Sequence, residues 1–242
     1  ETPYTADSKK GARDGINIDA MGGWAYVRHP WVVPYLLSVY DGVSTWVGDP
    51  LEFDWKGLEG RTLLAHNASF DEEVVLANIE LGRFPSFAYK QFHCTADIST
   101  WATGFRNLKD AVKQAFDLDI SKAARTNAEG KVKADMVADG SWETMVAYAA
   151  DDAVHCFNLY KKYFGKWPER ERRISTLNRV AGRRGIRINV TELDRCISLC
   201  RHVLAESVEL LPWVKRGRKQ GSTTGVAEEC RAGHGVVPVA VE

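Results

Sequence analysis

The chain has 242 residues, of which 45% are hydrophobic, and it carries 32 acidic and 32 basic residues. This length can bury a sizeable core, as one large domain or as one domain with an appendage. A formal net charge of zero gives no global sign of a nucleic-acid partner, so any such sign has to be local. No apolar run reaches the roughly 18–20 residues that a membrane span needs, so we expect no membrane association.

The amino end and the cysteines bear on processing and on compartment. The chain begins at Glu1-Thr2 with neither a methionine nor a secretory signal, so we expect a fragment or a processed product. Its five cysteines are an odd number for a set of disulfides. We therefore expect reduced thiols and a cytoplasmic protein.

Turn-forming residues dominate positions 1–30, and the first predicted strand follows them. That strand covers 31–40, although Pro34 weakens its first half. An Asp-Gly turn signal comes next, which makes 43–47 the predicted hairpin partner.

A strand, a loop and a helix form the next predicted unit. Residues 61–65 are an apolar strand, 66–68 are the loop at its carboxyl end, and Ser69 caps a helix that runs to about Leu81. Open α/β sheets bind their ligands at the carboxyl ends of their strands, so this loop is a candidate ligand site. A further strand is predicted over 92–96.

The second half of the chain predicts mainly helices. An amphipathic helix covers 107–116, and a long helix begins at Ser141 and ends near Gly165. The polar, glycine-containing stretch 119–140 between them is predicted to be a mobile loop. A helix is then expected at 169–184.

A helix over 192–211, capped by Thr191, precedes a predicted linker and a short helix near 226–231. Strands and helices alternate only before this region. We therefore predict an α/β domain over 1–166, a boundary near Trp167, and an incomplete helical region over 167–242.

Two acidic motifs carry the predicted chemistry. Tyr148 and Asp152 are four residues apart in the long helix, so a phenol and a carboxylate share one face. Asp71 lies in the first turn of the helix after loop 66–68. Carboxylates are the ligands that Mg²⁺ prefers, so these residues suit metal-dependent chemistry on a phosphodiester.

Both motifs resemble those of the DEDD 3′–5′ exonucleases. Asn67-Ala-Ser-Phe-Asp71 resembles their second motif, Asn-x-x-Phe-Asp, and Tyr148-Ala-Ala-Asp-Asp152 resembles the tyrosine form of the third. The wider pattern is similar to phage-type family-A DNA polymerases, including the Gly-Ile-Arg-Ile stretch that begins at Gly185. The resemblance implies an RNase H-like mixed sheet flanked by helices, in a proofreading domain that precedes a polymerase region.

The resemblance also implies roles for individual residues. Glu1 and Asp152 would ligate the catalytic metal, Asp71 would hold a second, and Tyr148 would orient the attacking water. Two Mg²⁺ ions are implied, and Mn²⁺ would also serve. The implied substrate is the single-stranded 3′ end of DNA at a primer terminus, and the implied partner is a polymerase domain in the same parent protein.

The first motif of that family, Asp-x-Glu-Thr, is matched only by Glu1-Thr2. The unmatched aspartate normally touches both metals. We therefore expect this chain to be inactive or impaired and its parent to be an active exonuclease.

Further residues are candidates for substrate contacts. Thr2 and Asn67 are implied supports for the backbone or the substrate. Basic residues outnumber acidic ones between positions 161 and 187, and Arg170 and Arg173 are candidate phosphate contacts. A solvated helix face explains this basic run equally well.

Simpler explanations exist for single positions. Asp71 would also suit the first turn of a helix, where the helix dipole favours a carboxylate. Tyr148 would suit a buried core position and Asn67 a helix cap. His66 is predicted to be structural. Zinc would need ligands such as Cys196, Cys200, Cys230 and His234, but the Cys-x-x-Cys spacing is missing. Two functional alternatives stay open: an RNase D-like 3′–5′ exoribonuclease, and a non-catalytic nucleic-acid-binding module of the same fold.

Overall fold

The computed structural model describes residues 1, 2, 16 and 18–211. The predicted linker and the predicted short helix near 226–231 lie outside these residues. The chain divides into two compact units, Glu1–Gly185 and Ile186–Glu242.

The described strands form two separate two-stranded sheets. β1 (Leu37–Tyr40) pairs antiparallel with β2 (Thr45–Gly48), as the Asp-Gly turn predicts. β3 (Thr62–Ala65) and β4 (Gln91–Cys94) pair in parallel, so their carboxyl ends meet at one edge. Together with the helices between them, these strands confirm the α/β class.

The predicted strand over 31–40 is wrong in its first half. The strand begins only at Leu37, and Trp31 is 67% exposed. Proline has no N–H for a ladder hydrogen bond, which explains why the pairing starts after Pro34. Val32 and Leu36 are still buried, so this segment contributes to the core without belonging to a sheet.

Two short helices occupy part of the region predicted to be turns. They are α1 (Ile18–Met21) and α2 (Gly23–Arg28). α2 packs on α3 (Ala68–Glu80), where Tyr26 and Ala77 belong to one buried cluster. Packing against α3, rather than helix propensity, stabilises elements this short.

Some of the remaining helices were predicted from the sequence, and others were not. Over the described residues they are α4 (Thr95–Thr103), α5 (Leu108–Phe116), α6 (Ala123–Asn127), α7 (Lys133–Ala138), α8 (Trp142–Tyr163), α9 (Glu169–Arg184) and α10 (Val190–Leu210). Short 3₁₀ turns cover Trp55–Leu58 and Phe164–Lys166. The predictions for α5, α8 and α9 are confirmed.

The prediction of a mobile loop over 119–140 is wrong. This stretch holds α6 and α7, and Ala128 and Met136 are buried with Met145 of α8. Gly130 and many polar residues interrupt this stretch, and that composition is typical of a loop. Each short helix instead forms because it adds a buried side chain to a larger cluster.

The central helix of the first unit is α8, which packs on β1, β2 and β3 and on four other helices. Its buried residues Met145, Ala149, Cys156 and Leu159 lie toward the core. The helix thereby brings its middle turns close to the edge where β3 and β4 end.

The first unit extends beyond the predicted boundary near Trp167. Trp167 is 3% exposed and contacts His93 of β4, with 6.5 Å between ring centroids. The helix that follows, α9, packs on α3 and β4. The division between the two units comes at Gly185.

The second unit contains α10. The side chain of Asn189 accepts a hydrogen bond from the N–H of Glu192, 3.2 Å away, so Asn189 is the cap rather than the predicted Thr191. No helix of residues 18–211 is long and apolar enough to cross a membrane.

Candidate functional site

The turn after β3 positions the second motif. Asn67 adopts φ 82° and ψ 49°, a left-handed conformation that asparagine tolerates better than most residues. It occupies the cap position of α3, where Ser69 was the predicted cap. Its exposed side chain makes no cap hydrogen bond, so it is not simply a cap.

Asp71 lies in the first turn of α3 and is partly buried. Burial raises the pKa of Asp71 to about 7. The Glu1 carboxylate also raises this pKa, while the Glu1 amino group and Arg125 lower it. The Asp71 side chain is therefore close to the charges of Glu1.

Tyr148 and Asp152 meet on one face of α8, as their spacing predicts. Burial raises the pKa of Tyr148, and the nearby Asp152 carboxylate raises it further. Burial raises the pKa of Asp152 to about 6, with a smaller rise from the Glu1 charge. The neighbouring Asp151 is exposed.

The main chain of Glu1 is anchored beside β1. Its carbonyl accepts the N–H of Tyr35 at 3.1 Å, and its amino group donates to the carbonyl of Leu36. The Glu1 side chain is exposed, whereas Thr2 is buried. These bonds place the first motif at the entry of the β1–β2 sheet.

Glu1, Asp71, Tyr148 and Asp152 are connected by the charge of Glu1, and we call these four residues the carboxylate site. The Glu1 charge raises the pKa of Asp71, Tyr148 and Asp152 alike. Arg125, from α6, is a cation that lowers the pKa of the same three groups. Arg125 lies in the polar stretch 119–140, and nothing in the sequence there distinguishes it from the neighbouring lysines.

Arg170 and Arg173 are exposed in the first two turns of α9. Neither is among the main charges that act on Asp71 or Asp152. Other cations of the same helix contact protein groups: Arg172 lies 5.1 Å from the Phe164 ring centre. The structure therefore does not bring the two predicted phosphate contacts into the carboxylate site.

Three side chains that the motifs do not include link the edge of the β3–β4 sheet to α8. His66 Nδ1 lies 3.2 Å from Thr95 Oγ1, and Thr95 Oγ1 lies 3.1 Å from Cys156 Sγ. His66 Nε2 lies 2.8 Å from the carbonyl oxygen of Arg106. We call His66, Thr95 and Cys156 the polar bridge. Burial lowers the pKa of His66 to about 4 and raises that of Cys156 to about 12.

The donor chemistry of the carboxylate site suits a hard divalent cation. Its carboxylates are oxygen ligands, and burial, together with the negative charge of Glu1, raises the pKa of Asp71 and Asp152. Within residues 1, 2, 16 and 18–211, no group of three or more His, Cys, Asp or Glu side chains is close enough to hold a metal. Mg²⁺ commonly binds one or two carboxylates and completes its shell with substrate oxygens and water, so the residues present fit it.

The cysteines of the described region are all free thiols. Cys94 and Cys156 are buried, and Cys196 and Cys200 are exposed on α10. The other two ligands of the zinc alternative, Cys230 and His234, lie outside the described residues.

Comparisons of the chain with protein-family models, curated proteins and solved structures find no match. The resemblance to the DEDD exonucleases depends on the motifs, and the function is inferred from the site itself.

Proposed function

We propose that this chain is a 3′–5′ exonuclease domain that hydrolyses single-stranded DNA with Mg²⁺ or Mn²⁺, on an RNase H-like fold. The observation that carries the proposal is that the charge of Glu1 acts on Asp71, Tyr148 and Asp152 alike. These residues come from three distant parts of the chain. They are also the residues to which the motifs assign the chemistry.

The side chains have distinct parts in this reaction. Glu1 and Asp152 would hold one cation and Asp71 a second, and bound cations would supply Lewis acids that stabilise negative charge on the phosphate. The Tyr148 hydroxyl, on the same face of α8 as Asp152, would orient a water molecule toward phosphorus. With its pKa near 7, Asp71 binds a proton in part at neutral pH, and a cation would compete with that proton.

The positive charge of Arg125 favours a polyanionic substrate. It lies on α6 and acts on Asp71, Tyr148 and Asp152, so its charge is close to the carboxylate site. A cation there would attract a phosphodiester to a site that otherwise carries net negative charge. Arg170 and Arg173 remain proposed contacts with phosphates farther along the strand.

The sheets support the RNase H-like part of the proposal. In that fold the first motif lies on a strand, and here the Glu1 main chain bonds to Tyr35 and Leu36, next to β1. The second motif follows β3, and the third lies on α8, which packs on both β1 and β3. The packing of α8 on both two-stranded sheets is the feature that supports this part of the proposal.

Release of label from a 3′-labelled single-stranded DNA tests the proposal. We expect release to require Mg²⁺ or Mn²⁺ and to fall at least 100-fold in Asp152→Ala. The matched control is Asp151→Ala, which removes the neighbouring exposed carboxylate and should leave the rate within about 3-fold. Equal losses in the two variants would contradict the assignment of Asp152.

The same assay separates the two alternatives. Faster release from RNA than from DNA of the same sequence would favour an RNase D-like exoribonuclease. DNA binding without hydrolysis, in this chain and in a version with Asp-x added before Glu1, would favour a non-catalytic binding module. The lack of a ready three-ligand group among the described residues is the observation that keeps this second alternative in the test.

A further inference from the structure

The parallel pairing of β3 and β4 brings two polar side chains together at the sheet edge. Ala65 and Cys94 are the last partners in the register, so the next residues, His66 and Thr95, leave the sheet side by side. His66 Nδ1 lies 3.2 Å from Thr95 Oγ1. His66 begins the turn into α3, and Thr95 is the first residue of α4.

Thr95 continues this contact to the helix that carries the third motif. Its hydroxyl oxygen lies 3.1 Å from Cys156 Sγ, and both residues are buried. Cys156 is four residues after Asp152 and eight after Tyr148, so the three lie along one face of α8. The polar bridge therefore ends one helical turn from the carboxylate site.

The direction of each hydrogen bond follows from its partners. A carbonyl oxygen only accepts, so His66 Nε2, 2.8 Å from the Arg106 oxygen, carries the ring proton. Nδ1 of the neutral ring then accepts the Thr95 hydroxyl proton, and Thr95 in turn accepts from the Cys156 thiol. The Ala65 carbonyl, 3.3 Å from Thr95 Oγ1, is the acceptor that Thr95 would use if Nδ1 were protonated.

We propose that His66 is a positioning residue for the carboxylate site. Through Thr95 and Cys156 it holds the start of α3, which carries Asp71, at a set distance from the turn of α8 that carries Asp152. The inference depends on the proposed function and adds to it residues that no motif contains. Mutating residues that orient metal ligands through hydrogen bonds typically changes activity or metal affinity by about 10–100-fold.

Thr95→Val tests the bridge, because valine keeps the shape of threonine and removes the hydroxyl. Thr95→Ser restores the hydroxyl, and Thr100→Val is the matched control. Thr100 lies on the same helix, where its hydroxyl donates to the Ala96 carbonyl at 2.7 Å. The full chain with Asp-x added before Glu1 is assayed for kcat, for KM toward 3′-labelled single-stranded DNA, and for Mn²⁺ affinity by calorimetry.

The proposal predicts that Thr95→Val lowers kcat and Mn²⁺ affinity by about 10–100-fold, with KM for DNA within about 3-fold of the parent. Thr95→Ser and Thr100→Val should keep both values within about 3-fold. Nitrogen-15 NMR should show the His66 ring neutral, with its proton on Nε2. A proton on Nδ1, or equal effects of Thr95→Val and Thr100→Val, would overturn the inference.

The outcomes also separate this inference from the proposed function. If Thr95→Val leaves hydrolysis unchanged, the positioning role is ruled out and the exonuclease assignment stands. If the parent chain binds Mn²⁺ but does not hydrolyse DNA, the exonuclease assignment is ruled out. The effect of Thr95→Val on Mn²⁺ affinity then decides the role of the polar bridge. A parent chain that neither binds Mn²⁺ nor hydrolyses DNA would rule out both the exonuclease assignment and the positioning role.

Discussion

Arg179 of α9 forms a buried ion pair with Glu72, the residue that follows Asp71 in the first turns of α3. The two side chains are only 9% and 4% exposed. Glu72 also accepts the Tyr89 hydroxyl and pairs with Arg183 at 3.2 Å, while Arg179 donates to the Phe92 carbonyl at 2.8 Å. The ion pair thus holds α3, the helix that carries Asp71, against α9.

Removing the Glu72 charge should destabilise the fold strongly. Glu72→Gln leaves the buried Arg179 guanidinium without its carboxylate, which typically costs about 3–5 kcal/mol. The free energy of unfolding from urea denaturation measures the loss. The matched control is Glu73→Gln, where Arg28 keeps its second partner, Glu80, at 2.8 Å. A loss no larger than that of the control would contradict the importance of the buried pair.

Ending the chain at the predicted boundary should abolish cooperative folding, whereas ending it at Gly185 should not. A chain of residues 1–166 lacks Trp167 and the Arg179 pair, and it lacks Ser175, whose hydroxyl donates to Asp97 at 2.5 Å. We expect residues 1–185 to unfold in one sharp thermal transition followed by circular dichroism. A transition of similar height and midpoint in 1–166 would show that α9 is dispensable.

The buried carboxyl of Asp71 should make stability depend on pH. Its pKa in the folded protein is about 7, raised from the ordinary 3.8, so the folded state binds the proton more tightly than the unfolded chain. Stability is therefore lost as pH rises from about 4 to about 7. Asp71→Asn removes this loss, and we expect the variant to be about 2–4 kcal/mol more stable at pH 8 and equal to the parent near pH 4.

Urea unfolding at a series of pH values, without added metal, measures this difference. Asp151→Asn supplies the control, since Asp151 is exposed. Stability curves of Asp71→Asn and the parent that stay parallel from pH 4 to pH 8 would show that Asp71 is not buried as described.

The α6–α7 segment should contribute to the core. Met136 is fully buried against Leu36 and Met145, and replacing it by alanine should cost about 2–5 kcal/mol in unfolding free energy. Val137 is 56% exposed on the same helix, so Val137→Ala should cost less than about 0.5 kcal/mol. Equal, small effects at both positions would support the mobile loop that the sequence predicts.

Local sequence signals account for the parts of the site that are close in the chain. The spacing of Tyr148 and Asp152 predicts their shared face, and the apolar run before His66 predicts β3 and the helix after it. The meeting of Glu1 with Asp71 and the contact of His66 with Thr95 depend on pairing between distant segments. Periodicity within a window carries no information on such pairing. Only the family resemblance connects Glu1 with the other motifs.

Burial of isolated residues is also invisible to local patterns. Met136 and Ala128 lie in a stretch that Gly130 and polar residues interrupt, so the local pattern there favours a loop. Arg179 and Glu72 are 107 positions apart, and an arginine in a basic run is typical of an exposed helix face. This ion pair joins α9 to the first unit, so that unit ends later than the boundary that the sequence predicts near Trp167.

The most direct measurement follows the products released from a 3′-labelled single-stranded DNA in Mg²⁺ or Mn²⁺. The chain itself, a version with Asp-x added before Glu1, and that version with Asp152→Ala are compared. The account predicts that nucleoside 5′-monophosphates leave the 3′ end, fastest with the added Asp-x, and that Asp152→Ala abolishes their release. DNA that stays intact with all three proteins, although it binds to them, would contradict the exonuclease assignment.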